Sequence, residues 1–289
     1  MSPGPDREPQ PDPDPTALLE LARSVAAAAV ELLDRSMART DLQVLSKSSH
    51  TDLVTEIDQA AEALIIDRLL QARPHDAILG EESGARSGGS GVRWVIDPID
   101  GTTNFVYRLA PFAVSIAAEL HGVMVAGVVA VPGWRETFEA TLGGGARCNG
   151  VPIAASANSE LASALIGTGF SYDAGRRIHQ GEVASRLLGQ VRDLRRMGAA
   201  SVDLCAVACG RLDGYFEAEL KPWDHAAGAL IATEAGATVT DLWGGPPSST
   251  YVVAAGPGLH RTLREVLITA GAGTDPDPRD ANAATGSGW

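Results

Sequence analysis

Apolar residues such as Leu18, Ala22, Val25, Ala29 and Leu33 recur on one helical face, which predicts an amphipathic helix from Thr16, with Thr16 as its cap. A second helix of the same kind follows Asp58 and runs to Arg73, where Pro74 stops it. The pattern then changes period. Residues 77–79 and 94–96 are short β-prone apolar runs, and residues 112–120, 123–131 and 136–141 read as an antiparallel meander whose first turn is His121-Gly122. Gly143-Gly144-Gly145 lacks the strand-to-helix context of a phosphate-binding loop and is expected to be a turn. Further on, strands are expected at 165–169, 191–197 and 213–218. Helices are expected at 174–189, from Ser201 as cap to 210, and at 221–236, with a last helix at 257–270 after two more strand-like runs. Residues 1–15, rich in Asp-Pro pairs, and 271–289 read as flexible tails, and the Gly/Ser-rich stretch 84–91 as a mobile loop. The body divides into an N-terminal part, 16–151, and a C-terminal part, 152–270.

Composition narrows the partners. With 36 acidic against 23 basic side chains the formal charge is −13, which disfavours nucleic acid and anionic membrane as partners. An acidic chain can still take a phosphorylated substrate if divalent cations reverse the field at the site. The three cysteines, Cys148, Cys205 and Cys209, have no metal-finger spacing, and Cys205 and Cys209, one helical turn apart, are read as small buried hydrophobes rather than a ligand pair or a disulfide. No signal peptide or membrane span is apparent, so a cytoplasmic, soluble protein is expected.

The most informative run is Trp94-Val-Ile-Asp-Pro-Ile-Asp-Gly-Thr-Thr-Asn104. Pro98 holds its predecessor extended, which predicts a strand ending at Asp97, and Gly101 permits a tight turn before Thr102 and Thr103 open a helix. Two carboxylates, Asp97 and Asp100, would thus stand beside a helix start, a setting for cations held against a phosphate. Read alone, the same residues also describe an ordinary turn. Glu81 follows a short strand beside Glu82, and two adjacent acids are unfavourable without a cation. Asp58 and Asp224 fall in first helical turns, where a plain dipole or capping role accounts for either one taken singly.

Taken together, Asp52-Leu53-Val54-Thr55 with Asp58, Gly80-Glu81-Glu82, Asp97-Pro98-Ile99-Asp100-Gly101-Thr102-Thr103 and Trp223-Asp224 with Ala226-Ala227-Gly228 resemble the motifs of the inositol monophosphatase family, the lithium-sensitive, magnesium-dependent phosphatases. The likeness runs from Thr16 to Ala270. It implies an α/β (α+β) fold, a layered αβαβα sandwich of the inositol monophosphatase and fructose bisphosphatase type, assembled as a homodimer. It further implies that Glu81, Asp97, the carbonyl of Ile99, Asp100 and Asp224 hold two or three Mg2+ ions. Asp58 and Thr102 match the pair that orients or deprotonates the attacking water, with Glu81 also in the catalytic set. Gly101, Thr102, Ala200, Glu217 and Asp224 match substrate-binding positions, Glu217 the one that meets inositol hydroxyls. Lys47 matches a basic residue near the metals. The implied reaction is in-line hydrolysis of a small phosphorylated polyol without a phospho-enzyme, with Asp100→Asn inactive but folded. His50-Thr51 and Lys221-Pro222 depart from the family pattern at the pocket mouth.

The same metal motifs occur in relatives acting on histidinol phosphate, on fructose bisphosphate and other sugar phosphates, and on phosphorylated or sulfated nucleotides. A carboxylate at Glu217 favours a substrate with ring hydroxyls. A bacterial relative also serves in an RNA-processing or transcription complex, and the charge of −13 speaks against direct RNA binding by this chain.

Overall fold

The computed structural model describes residues 12–37, 44–46 and 53–274. Lys47, His50, Thr51 and Asp52 lie outside the described residues, as does most of both predicted tails.

The first helix, α1 (Pro15–Met37), buries the face carrying Leu18, Ala22, Val25, Ala26, Ala29 and Leu33. Its cap is Asp14 rather than Thr16. The Asp14 carboxylate accepts from the Thr16 amide at 3.0 Å, and Pro15 occupies the first helical position, where its missing N–H is no loss. A short antiparallel pair, β1 (Val44–Ser46) and β2 (Leu53–Thr55), leads into α2 (Glu56–Ala72).

The first large sheet is built from β3 (Ala77–Gly80), β4 (Gly84–Arg86), β5 (Val92–Asp100), β6 (Ala113–Leu120), β7 (Val123–Val131), β8 (Glu136–Thr141), β9 (Gly145–Cys148) and β10 (Val151–Pro152). A short helix, α3 (Thr102–Val106), lies between β5 and β6. The order across this eight-stranded sheet is β10-β9-β8-β7-β6-β5-β3-β4, and only β3 and β5 pair in parallel. Two expectations change here. The stretch expected to be a loop from residue 84 supplies β4, which folds back on β3. β5 does not stop at Asp97 but continues through Pro98 to Asp100 by an irregularity in its pairing with β6.

The second sheet holds β11 (Leu165–Thr168), β12 (Asp193–Arg195), β13 (Gly214–Ala218), β14 (Thr238–Thr240) and β15 (Tyr251–Ala255), in the order β12-β11-β13-β15-β14. β12 is shorter than the expected 191–197. The helices of this half are α4 (Ala174–Leu188), α5 (Ala200–Ala208), α6 (Pro222–Glu234) and α7 (His260–Thr269). Packing continues past residue 270, since Ala272 is buried.

Alternating side chains of the first sheet serve two cores. Trp94, Ile96, Ile116 and Val128 pack with α1 and α2, while Val95, Ala117, Val129 and Phe138 pack with α5 and α6. The far side of α5 and α6 meets Tyr215, Val252 and Ala254 of the second sheet, whose other face is covered by α4 and α7. Five layers result, helix, sheet, helix, sheet, helix, as expected. The middle layer is buried on both sides, so every residue of α5 is buried and small residues dominate. Gly127 admits α6 to within contact of β7, since a Cβ there would stand 3.1 Å from the Ala227 Cα. Among the described residues no helix is long and apolar enough to cross a membrane.

Candidate active site

The end of β5 decides where the acids point. Asp97 pairs with Ser115 and Asp100 with Ala113, so three steps on β5 match two on β6. In a regular strand residues 97 and 100 would face opposite sides. The extra residue of this bulge restores the parity and turns Asp97 and Asp100 to the same face. β3 runs parallel to β5 with Gly80 opposite Ile96, which carries Glu81 alongside Asp97. Gly101 then takes φ 91°, a left-handed conformation suited to glycine, and starts α3.

A cleft of about 460 Å³ is lined by Glu81, Asp97, Ile99, Asp100, Gly101, Thr102, Ala200, Glu217 and Asp224, so all of these expected site residues meet in one place. Asp58 stands behind them, fully buried in the first turn of α2, with its Oδ1 3.1 Å from the Thr102 hydroxyl. That hydroxyl lies equally close, 3.1 Å, to the Ile99 carbonyl.

Burial and mutual repulsion set the electrostatics. Burial pushes the Asp97 carboxyl well above the usual carboxylate range, and the charges of Glu81, Asp100 and Asp224 push it further. Asp224 is raised by burial and then by Asp100. Asp100 is raised by burial to about 6, with three donors opposing the rise. These donors are the Ala200 amide at 3.1 Å, the Ser201 amide at 2.7 Å and the Ser201 hydroxyl at 2.5 Å. Asp100 thus caps α5 from 100 residues away, where the sequence pointed to Ser201 as the cap. Asp100→Asn would therefore also weaken a helix start, by about 1 kcal/mol, rather than leave the fold untouched. Asp224 accepts from the Lys221 amide at 2.6 Å in the opening turn of α6.

With Asp100 and Asp224 turned to backbone amides, no three His, Cys, Asp or Glu side chains among the described residues close around a single point. The set nevertheless fits a hard cation in its chemistry. Every contributing atom is an oxygen, and the neighbouring acids add to the raised pKa of Asp97, Asp100 and Asp224 in the way that an intervening cation would relieve.

Another part of the cleft wall is built by β13. Tyr215 donates to Glu217 Oε2 at 2.6 Å, and burial lifts Glu217 to about 7 against the opposing effects of Tyr215 and Arg196. Sequence patterns did not single out Arg196, the Tyr215 partner of Glu217 or the wall formed by Phe170 and Tyr172. Only the Arg195-Arg196 pair offered a signal, since the others look like ordinary core or loop residues. At the mouth, Arg176 of α4 pairs with Glu219, which holds φ 68°. Cys205 is buried and Cys209 half-buried, both as free thiols and clear of the cleft lining.

The sequence model of the inositol monophosphatase family matches residues 14–274. The inositol-1-monophosphatase of Mycobacterium bovis is 44% identical over 285 residues, covering 91% of this chain and 95% of that protein. The Nus factor SuhB of Escherichia coli is 41% identical over 230 residues, covering 79% of this chain and 86% of its own. Among solved structures, the extragenic suppressor protein SuhB of Bartonella henselae superposes with a TM-score of 0.83 at 36% identity, covering 87% of this chain and 98% of that one.

Proposed function

We infer, from the premise that this chain belongs to the inositol monophosphatase family and is a phosphatase, that it hydrolyses a phosphate monoester of a small polyol, myo-inositol 1-phosphate foremost, with Mg2+ as cofactor. The observation that carries this reading is the bulge between Asp97 and Asp100, which turns both acids into the cleft that Glu81, Asp224 and Glu217 also line. Glu81, Asp97, the Ile99 carbonyl, Asp100 and Asp224 would hold the cations. When bound, such ions neutralise phosphate charge and acidify water.

The chain's own groups do the rest. Thr102 Oγ1 has one proton to donate and two acceptors in reach, Asp58 Oδ1 and Ile99 O. Donating to Asp58 leaves an Oγ1 lone pair to accept a hydrogen bond from an attacking water, and as Oγ1 takes that water's proton it would pass its own to Asp58 Oδ1, so the pair Asp58–Thr102 orients the water and the carboxylate ends with the proton. The amides of Gly101 and Thr102, two residues of the cleft lining, would receive phosphate oxygens. Glu217, fixed on one oxygen by Tyr215, keeps the other for a ring hydroxyl, and a substrate without that hydroxyl would leave a buried acid unpaired. A homodimer in the cytoplasm belongs to the same reading.

A second reading, a regulatory role without catalysis, rests on the name of the E. coli relative. Phosphate release from myo-inositol 1-phosphate, fructose 1,6-bisphosphate and histidinol phosphate, with Mg2+ and with chelator, separates the possibilities. Preferential Mg2+-dependent release from the inositol ester is expected. Preference for another ester would overturn the substrate, and no release from any would favour the regulator.

A further inference from the structure

Glu62, in the middle of α2, is buried to 2% exposure in a chain position where its helical spacing gives no hint of a role. Its two oxygens accept from the amides of Glu82 and Ser83, at 2.9 and 2.6 Å. The carboxylate also fills the space above Gly80, where a Cβ would stand 2.6 Å from Oε2. Glu81 is therefore fixed from both sides. Its own amide donates to the Ile96 carbonyl of β5 at 3.2 Å, and the two amides that follow it are clamped by Glu62.

A turn of this kind has no structural need for a buried acid. Ser83 is exposed and Glu82 half-exposed, and a second cleft of about 680 Å³ reaches both of them. Water could satisfy their amides, whereas burying a carboxylate carries a desolvation penalty. What the clamp adds is a fixed backbone on either side of Glu81, next to Asp97.

We propose that Glu62 is a positioning residue for the metal centre, acting through the Gly80–Ser83 turn to hold Glu81 in place for the cation. This rests on the metal reading given above. Outer partners that orient a ligand change metal affinity by roughly 10- to 100-fold when lost. Glu62→Gln keeps the size but faces one amide with an NH2 group, so one clamp bond is replaced by a clash of donors. Gly80→Ala keeps Glu62 in the chain but pushes its carboxylate, the far end of a flexible side chain, off the two amides, a displacement the fold is expected to survive.

The test is titration of Mn2+ into the metal-free full chain, followed by electron paramagnetic resonance, with thermal unfolding in chelator run in parallel. Both variants are expected to bind Mn2+ roughly tenfold more weakly than the wild type. A purely structural Glu62 would lower the unfolding temperature in chelator and leave the Mn2+ affinity of the folded variants unchanged, and that result overturns the proposal while the metal reading stands. If Glu62→Gln fails to fold, Gly80→Ala decides alone. A wild-type chain that takes up no Mn2+ overturns the metal reading and the proposal with it.

Discussion

Asp76 and Asp97 are carboxylates of similar burial, 1% and 2% exposed, one just before β3 and the other late in the adjoining β5, yet their surroundings differ in kind. Asp76 receives the Arg73 guanidinium at 2.5 Å, the Ser90 hydroxyl at 2.6 Å and the Trp94 indole N–H at 2.9 Å. It is a closed network that ties the end of α2 to the sheet. Asp97 has the Ile99 amide at 3.0 Å, and the side chains that act on it are Glu81, Asp100 and Asp224, all acids. One acid is neutralised by donors and a cation of its own fold, and the other faces further acids. A satisfied buried acid supports structure, whereas an acid facing other acids stores a demand for a cation.

The sharpest way to break this comparison is Asp97→Asn. Loss of the carboxylate should lower turnover with Mg2+ by more than roughly 100-fold, beyond the loss produced by disturbing a ligand's outer partner. The same change removes a repulsive charge, so the unfolding temperature in chelator should hold or rise. A drop in that temperature with turnover intact would place Asp97 with Asp76 as a structural acid.

Titration tests the acids as a set. Asp100 moves from 3.8 to about 6 and Glu217 from 4.5 to about 7, so the metal-free fold binds more protons than the unfolded chain between pH 4 and 7. Raised acid pKa values add stability that is fully present below the unfolded values and lost as pH rises through the folded ones. Urea unfolding in chelator should therefore show stability falling from pH 4 to 7 on account of this site, by on the order of 3 kcal/mol from one such acid. Mg2+ favours the ionised forms, so its stabilising effect should grow over the same window. Stability in chelator that rises throughout that window in the wild type and in Asp97→Asn alike would refute the account.

Asp76→Asn comes next in size. It loses the Arg73 ion pair and sets an amide against a donor, for a destabilisation of about 2 kcal/mol in urea unfolding. Turnover at saturating Mg2+ should stay within about twofold, since no donor of the cleft is touched.

Glu234 gives the smallest effect. Its carboxylate receives the Gly143 and Gly145 amides at 2.8 and 2.9 Å in the turn between β8 and β9, near solvent. Glu234→Gln should cost under about 1 kcal/mol, because water can replace the lost bond. A loss as large as that of Asp76→Asn would show that exposure does not soften these contacts.

Local patterns carried much of the protein. The apolar face of α1, the hairpin at His121-Gly122, with φ of 50° and 88°, and the motif acids could all be read along the chain, because helix period, turn preference and short motifs depend on neighbours in sequence. Those same patterns misplaced the cap of α1 by two residues and ended β5 too early, since a proline is tolerated in a strand where a bulge takes up the extra residue. Which acids face one another was decided only in three dimensions. The parity of Asp97 and Asp100 follows from pairing with β6, Asp100 finds the amides of α5 a hundred residues on, and Glu62 reaches Glu82 and Ser83 from another helix. A side chain's type limits what it can bind, but its partners are set by register and packing between elements far apart in the chain. That is why the candidate acids were legible from residues 58 to 224 while the order imposed on them was not.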